Sequence, residues 1–423
     1  MIREMRELIS VHRVGRMPPS ELRELQNAKL RALVRHADQN VPYYQSLFQD
    51  AALSPADVRD FDDLRHVPIT TKGDLKRAGL ASIIDQRVDP ASRKSWRTSG
   101  TTGDQFDLYG SNGELSIRAM VTFRAYRAIG FGPWDRLCHL GPRLPRLNWW
   151  LGPYRSKNLS ALLPLEEQIR QLRLEQPNIL RVWPTVFRAL LHQVEYRLSD
   201  IARPRALITS AEVFDPSLRR RVESDLPDIQ ILNFWAAMEF GEIACECLAH
   251  EGLHVQADQV ILETVRDDDQ PAAVGEAGSA VITALSNYTM PLIRYRLGDI
   301  CTMVDRTCSC GSVFPLISAP KGRHEDVVRL PSGQLRSALG LGTVVDSFDE
   351  VDQYRFIQES PDHLVVKLVL FNEAGEGALT QFRAGLMDYL GEPMRLDIHI
   401  VDSIPEDAFK FRKFISKVPD TGL

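Results

Sequence analysis

The chain has 423 residues, a formal net charge of −5, 44% hydrophobic and 25% charged residues. That balance excludes a disordered or collagen-like polymer, and the acidic sign lacks the basic footprint of a nucleic-acid binder. A chain of this length buries a sizeable core without cross-links and divides by size into two or three domains.

Residues 1–85 read as a helical leader packing on the core. The opening MIREMRELIS mixes charges of both signs where a secretory signal needs a basic tip and an apolar run. No apolar stretch approaches the ~18 residues of a membrane helix, so a cytoplasmic protein with no membrane partner is expected. Leu22, Leu25, Leu30, Leu33 and Val34 recur at helical spacing, with Ser20 the expected N-cap and Glu21 and Glu24 near the positive end of the dipole. PITTKGDLK reads as an extended piece entering a capped helix.

The middle of the chain alternates. Strand-like runs (RALITSAEV, IQILNFWAAM, HVQADQVILETV, SAVITALS) are separated by helical ones (LEEQIRQLRLE, TVFRALLHQVEYRL), which argues for an α/β architecture. The tail changes character. QYRFIQES and HLVVKLVLF read as paired strands joined at Pro361 and Asp362, followed by a helix around ALTQFRAGLMDYL and a strand MRLDIHIV. The boundary between the two patterns is expected near Gly322–Asp326.

Arg97-Thr98-Ser99-Gly100-Thr101-Thr102-Gly103 packs four hydroxyls and two glycines into one short loop. Glycines let the backbone approach a ligand, and successive N–H groups with hydroxyls form an anion-binding nest. No Gly-Lys-Ser/Thr follows, so this is not the common P-loop. Downstream stand Thr209-Ser210-Ala211-Glu212, Trp235-Ala236-Ala237-Met238-Glu239, PLIRYRLGD ending at Asp299, Gly322-Arg323-His324-Glu325-Asp326 and Lys410-Phe411-Arg412. In order and spacing these motifs resemble the adenylate-forming enzymes, in particular the phenylacetate–coenzyme A ligase branch and its capsule-biosynthesis relatives. RTSGTTG and PLIRYRLGDI are the strongest signals, and the likeness covers nearly the whole chain.

The resemblance implies an α/β fold with a large multi-sheet N-terminal adenylation domain and a small mobile α+β C-terminal domain. It divides the chain into the leader (1–85), an adenylation core (86–323) and a lid (324–423). It implies an ATP-dependent, AMP-forming carboxylate ligase that makes an acyl adenylate and passes the acyl group on, most commonly to coenzyme A. By that likeness Thr98, Ser99, Gly100, Thr101, Thr102 and Gly103 hold the β- and γ-phosphates. Glu239 helps hold Mg²⁺, Asp299 binds the ribose hydroxyls, Arg323 reaches ribose or phosphate, and Glu212 and Trp235 lie near the nucleotide. Glu325 is the hinge, and Lys410 bridges carboxylate and α-phosphate, with Lys413 and Lys417 as neighbouring competitors. The sequence departs from the pattern at Trp235 for tyrosine, Ala236 for glycine, Met238 for threonine or serine, and Phe409 for the glycine before the lysine. These departures leave open an acceptor other than coenzyme A (an amine, a sugar, a carrier protein) and a non-catalytic, nucleotide-binding member of the fold. The acid itself is expected to be aromatic, and a homodimer is a candidate assembly.

Six cysteines are too few for a disulfide scaffold, yet five of them, Cys245, Cys247, Cys301, Cys308 and Cys310, share one stretch. Thiolates with nearby His250 and His254 suit a tetrahedral cation, zinc above all. The resemblance assigns a structural zinc to Cys247, His254, Cys308 and Cys310, with Cys245 and His250 as alternates. Cys138 and Cys301 read as core thiols, His139 as a core or loop histidine with the acyl pocket as its alternative by the resemblance, and Trp149, Trp150 and Tyr154 as packing residues with a lid or pocket wall as theirs.

Overall fold

The computed structural model describes residues 14–98, 105–141, 155–212, 214–320, 327–348, 350–371, 376–405 and 411–418. The leader is helical, as its apolar spacing predicts. Its long helix, Pro19–Asn40, begins earlier than a Ser20 cap would allow: Pro18 holds the cap position without a side-chain bond, and Ser20 lies inside the first turn. Proline needs no N–H at the first helical position and its ring presets φ, so Pro19 starts the helix. Leu22, Leu30, Leu33, Val34 and Ala37 are buried. All but Leu22, which packs with Ala257 and Phe314, share a cluster with Ile261, Leu285 and Ile293, so the leader has its core in common with the strands it covers. Thr71 caps the helix Lys72–Ala78 in a reciprocal box with Asp74, and the preceding Thr70 exchanges backbone bonds with Arg294 and Arg296.

The first strands, β1 (Lys94–Arg97) and β2 (Asp107–Gly110), form an antiparallel pair. The central sheet is built from β3 (Arg136–Gly141), β4 (Arg155–Ser160), β5 (Ile179–Val182), β6 (Ala206–Ser210), β7 (Gln230–Ala237), β8 (Gly241–Glu246), β9 (Leu253–Val255), β10 (Val260–Val265), β11 (Ala277–Ala284), β12 (Tyr295–Val304) and β13 (Leu316–Ile317). Its order is β10-β11-β12-β13-β9-β8-β7-β6-β5-β3-β4. From β7 to β4 all pairs are parallel; the other pairs are antiparallel. Helices Leu165–Glu175, Pro184–His192 and Pro216–Asp225 separate the parallel strands in sequence, and β5 and β6 are buried along their whole length, as strands covered on both faces must be. Because β4 lies outward of β3 while β5, β6 and β7 run the other way, the topological switch falls between β3 and β5.

HVQADQVILETV, expected as one strand, is two. Gln256–Gln259 breaks it with a buried polar turn, where Arg124 donates to both oxygens of Asp258 (2.7 and 2.9 Å) and to Gln256 (2.6 Å). The chain can then place β9 mid-sheet and β10 at the edge.

Beyond the central sheet, β14 (Val327–Arg329) and β15 (Leu335–Ser337) form a hairpin. The tail follows its sequence pattern: β16 (Val351–Ser360) and β17 (His363–Leu370) pair antiparallel, then come the helix Glu376–Leu390, β18 (Arg395–Ile400) and β19 (Phe414–Ser416), in sheet order β18-β17-β16-β19. This region has an apolar cluster of its own, running from Val328 to Phe414. Among the described residues no helix is long and apolar enough to cross a membrane.

Candidate functional site: a nucleotide site and a thiol–imidazole cluster

Thr98 closes the base of the hydroxyl-rich loop. Its N–H donates to the Phe106 carbonyl (3.0 Å) and its hydroxyl accepts from the Phe106 N–H (3.0 Å), extending the β1–β2 ladder by one rung. β1 and β2 therefore bracket the loop at Thr98 and Phe106. Ser99, Gly100, Thr101, Thr102 and Gly103 lie outside the described residues, as do Trp149, Trp150, Tyr154, Arg323, Glu325 and Lys410.

The β1–β2 pair is fastened to the WAAME segment. Trp96 donates its indole N–H to the Met238 carbonyl (2.8 Å), and Arg118, from the helix Asn112–Ala128, donates to the same carbonyl (3.0 Å) and to that of Glu239. The Arg118 guanidinium also lies 4.9 Å from the centroid of the Trp96 ring, a cation–π arrangement. Burial lowers its pKa to about 10, which leaves it charged at neutral pH. No motif flags Arg118; its part in the site comes from the packing of a helix remote in sequence.

Trp235 sits on β7 beside a bulge in the β7–β8 pairing, between Trp235 and Ala236. Bulges re-aim side chains next to sites. Its indole N–H donates to Asp299 Oδ2 at 2.8 Å. The tyrosine-to-tryptophan departure thus holds the expected ribose-binding carboxylate in one orientation, and a carboxylate with about four lone-pair directions can still accept other donors. Glu239 is buried at 8% exposure, with its carbonyl held by Arg118 and Asn287. The Met238 side chain is 43% exposed.

Glu212 is committed elsewhere in part. One oxygen accepts from the Thr185 N–H (2.8 Å) and hydroxyl (2.6 Å) in the first turn of the helix Pro184–His192, where a negative charge opposes the positive end of the dipole. Its other oxygen is buried without a hydrogen-bond partner.

At the switch point, His139 of β3 and Arg181 of β5 stand in register. Arg181 donates to Glu242 (2.6 Å), the Tyr126 hydroxyl (3.0 Å) and Ser210 (3.2 Å). The second oxygen of Glu242 is buried with no partner. Burial, reinforced by the Arg181 charge, holds the His139 imidazole down to about 3, so it is neutral. Only His139 and Ser210 of this group stand out in the sequence; Tyr126, Arg181 and Glu242 are scattered single residues brought together by the fold.

The structure gathers Cys247, His254, Cys308 and Cys310, whose ligand atoms lie within 4.8 Å of one another. The Sγ atoms of Cys247 and Cys308 are 3.6 Å apart, and Cys310 Sγ is 3.3 Å from His254 Nε2. His254 is carried on β9 between β8 and β13, and the pairing of β13 with β9 brings the 308–310 turn alongside. Gly252 makes the approach possible: its φ is +129°, and a Cβ there would lie 2.9 Å from the Ile317 carbonyl. Glu251 joins the two halves by accepting from the Ser309 N–H (3.1 Å) and hydroxyl (2.7 Å). Burial lowers the His254 pKa, keeping the imidazole neutral as a ligand must be, while burial pushes the Cys247 thiol up. The alternates lie outside the cluster. His250 contacts Glu246 and Gln230 (3.0 Å each), and Cys245 packs with Tyr126 and Phe234. Cys138 and Cys301 belong to apolar clusters, as expected.

No protein-family model matches the chain. It is 29% identical over 322 residues to a phenylacetate–coenzyme A ligase of Escherichia coli, spanning 73% of this chain and 72% of that one. It is 20% identical over 412 residues to Protein CapK of Staphylococcus aureus, spanning 93% and 89%. Among solved structures it superposes on 2-hydroxyisobutyryl-CoA ligase in the postadenylation state, in complex with 2-HIB-AMP, with a TM-score of 0.82, at 18% identity over 96% of this chain and 91% of that one. For the thioesterification state of that ligase, with 2-HIB-AMP and CoA, the TM-score is 0.65, at 19% identity over 96% and 92%. The chain therefore has the fold of the adenylate-forming ligases, and in sequence it resembles their phenylacetate–coenzyme A ligase branch.

Proposed function

We propose that the chain is an ATP-dependent, AMP-forming carboxylate ligase that converts a carboxylic acid, aromatic in the favoured reading, to its acyl adenylate and then to a coenzyme A thioester. The observation that carries this reading is the series of contacts from the Thr98 strand pair through Trp96 to Met238, from Arg118 to Met238 and Glu239, and from Trp235 to Asp299, which joins three motifs far apart in sequence. The proposed division is leader 1–85, adenylation core 86–323 and lid 324–423, hinged at Glu325.

In the first step a carboxylate oxygen attacks the α-phosphorus and the bond to pyrophosphate breaks. In the second, a thiol sulfur attacks the acyl carbon and AMP leaves. Loop residues 98–103 would hold the departing pyrophosphate through backbone N–H groups and hydroxyls. Asp299, oriented by Trp235, would accept from the ribose hydroxyls, with Arg323 reaching ribose or phosphate. Lys410 would sit between carboxylate and α-phosphate, an ammonium placed where negative charge builds in the transition state. Glu239 is the carboxylate suited to magnesium, a hard cation that offsets phosphate charge when bound. The switch between β3 and β5 is where open α/β sheets take ligands, so the Arg181–Glu242–His139 group would read a polar substituent on the acid.

The cysteine–histidine cluster fits a structural zinc: Cys247, Cys308, Cys310 and His254 would supply three thiolates and one imidazole, a full set of four ligands. Reduced thiols at such a centre suit a cytoplasmic setting.

ATP–pyrophosphate exchange across a carboxylate panel tests the reading. Exchange with at least one acid is expected, followed by thioester formation when coenzyme A is added. ATP binding without exchange for any acid refutes the enzyme reading; exchange with transfer only to an amine, sugar or carrier protein replaces the acceptor.

A further inference from the structure

Four charged side chains meet where the tail packs on the central sheet. Arg188, in the helix Pro184–His192, forms ion pairs with Asp215 and with Asp352 of β16. Lys413, next to β19, pairs with the same Asp215. The Tyr196 hydroxyl donates to the second oxygen of Asp352 at 2.7 Å. Aromatic contacts flank the charges: the Arg221 guanidinium lies 3.5 Å from the Phe371 ring centroid, and the Lys413 ammonium 4.8 Å from that of Tyr354.

The members come from two different cores. Arg188 and Asp215 adjoin the cluster of Phe187, Leu190, Leu191 and Leu218, whereas Asp352 and Lys413 adjoin that of Val351, Tyr354 and Phe414. The junction between these cores is thus strongly charged. Apolar surfaces pressed together at such a junction would resist separation, because parting exposes them to water. Paired charges differ: burial alone favours neutral Lys413 and neutral Asp215, their pairing outweighs it, and water restores the lost solvation once they part. A charged junction is therefore specific when closed and separable when open. The better superposition on the postadenylation state than on the thioesterification state identifies which arrangement is closed here. The junction also fixes the chain next to Lys410: Phe356 N–H donates to the Lys413 carbonyl (2.8 Å), and Arg355 donates to the Arg412 carbonyl (2.9 Å).

We propose that Arg188, Asp215, Asp352 and Lys413 form a clasp that holds the tail in the adenylation arrangement, and that the clasp must open before acyl transfer. This rests on the ligase reading above. Lys413 and Asp215 are then positioning residues for the first half-reaction, and Lys413 is a fastening for the segment after Lys410 and not its catalytic substitute.

The test separates the two half-reactions in the full chain. Lys413 is the least enclosed member, with its side chain 31% exposed, so Lys413→Met carries the smallest risk to folding. Lys413→Met and Asp352→Asn are expected to lower ATP–pyrophosphate exchange by about tenfold or more. Thioester formation from supplied acyl adenylate should stay within about threefold of wild type, and Lys413→Arg should restore at least about half of the exchange. A parallel fall in both half-reactions, or no fall in either, overturns the clasp. Hydrogen–deuterium exchange of the ligand-free protein gives a readout independent of activity: faster exchange in Pro184–His192 and in β19 is expected for Asp352→Asn, and unchanged exchange overturns the proposal. If the wild type activates no acid, the ligase reading fails while hydrogen exchange still decides the clasp.

Discussion

Replacing Cys308 by serine is expected to release a bound zinc and lower the melting temperature. The geometry sets the expectation. Zinc–sulfur bonds of about 2.3 Å and a zinc–nitrogen bond of about 2.0–2.1 Å at tetrahedral angles give edges of about 3.8 Å between sulfurs and about 3.6 Å between sulfur and nitrogen. The corresponding separations here are 3.6 Å for Cys247–Cys308 and 3.3 Å for Cys310–His254. These two edges lie within a few tenths of an ångström of the zinc values, and all four ligand atoms lie within 4.8 Å of one another, so side-chain adjustment can close the set on a zinc ion. If the free ion exceeds the dissociation constant a thousandfold, binding stabilises the folded chain by about 4 kcal/mol, which corresponds to a melting shift on the order of 5–10 °C. The assay is metal analysis of the purified protein, with melting before and after a strong chelator. One zinc per chain, lost in Cys308→Ser and in His254→Ala but retained in His250→Ala, is expected. Less than about half an equivalent of zinc in the wild type, or a melting point indifferent to chelator, refutes the assignment.

Trp235→Phe keeps the ring but removes the donor to Asp299; with a hydrogen bond to a charged group at about 1.5–3 kcal/mol, KM for ATP in the exchange assay should rise about 10- to 100-fold. An unchanged KM means the bond plays no part in ribose binding. Lys410→Ala should lower exchange by about 10²–10³-fold while ATP binding survives, and undiminished exchange moves the role to another cation. His139, neutral in the folded chain with a pKa of about 3, titrates near 6.5 when unfolded, so the unfolded chain takes up a proton that the folded one refuses. Stability should therefore fall as pH drops through that window, by about 2 kcal/mol from this residue between pH 7 and 5. Urea midpoints of His139→Gln should lose that portion of the slope, and an identical slope means His139 is protonated in the fold.

Much of the fold is legible in local sequence because local pattern sets it. Helical spacing in the leader, the helix LEEQIRQLRLE, the Thr71 capping box and the QYRFIQES–HLVVKLVLF hairpin depend on neighbours a few residues away, where periodicity and turn chemistry act. The motif order resembles that of the adenylate-forming ligases, and the fold of the chain agrees with that likeness. Where local signals compete, sequence misleads: Ser20 is a good cap, but the proline pair ahead of it starts the helix first.

The rest depended on pairings that no local pattern encodes. His254, not His250, joins the thiols because β13 pairs with β9 across more than fifty residues of chain, while His250 turns to Glu246 and Gln230. Glu212 keeps its residue type but shares its charge with a helix end, because β6 pairs in parallel with β5, the strand that leads into that helix, and so brings Thr185 within reach. Arg118, Arg181 and Arg188 carry no motif, yet Arg118 ends half-buried and the other two buried, against partners 60 to more than 150 positions away. A charge buried by folding must find a counter-charge or a carbonyl wherever the fold brings one, and the sequence alone determined only that such residues exist. Which of them meet, and so how the WAAME segment, Asp299 and the tail are held in place, was decided by tertiary structure, since the cost of an unpaired buried charge is paid or avoided only once the strands have their order.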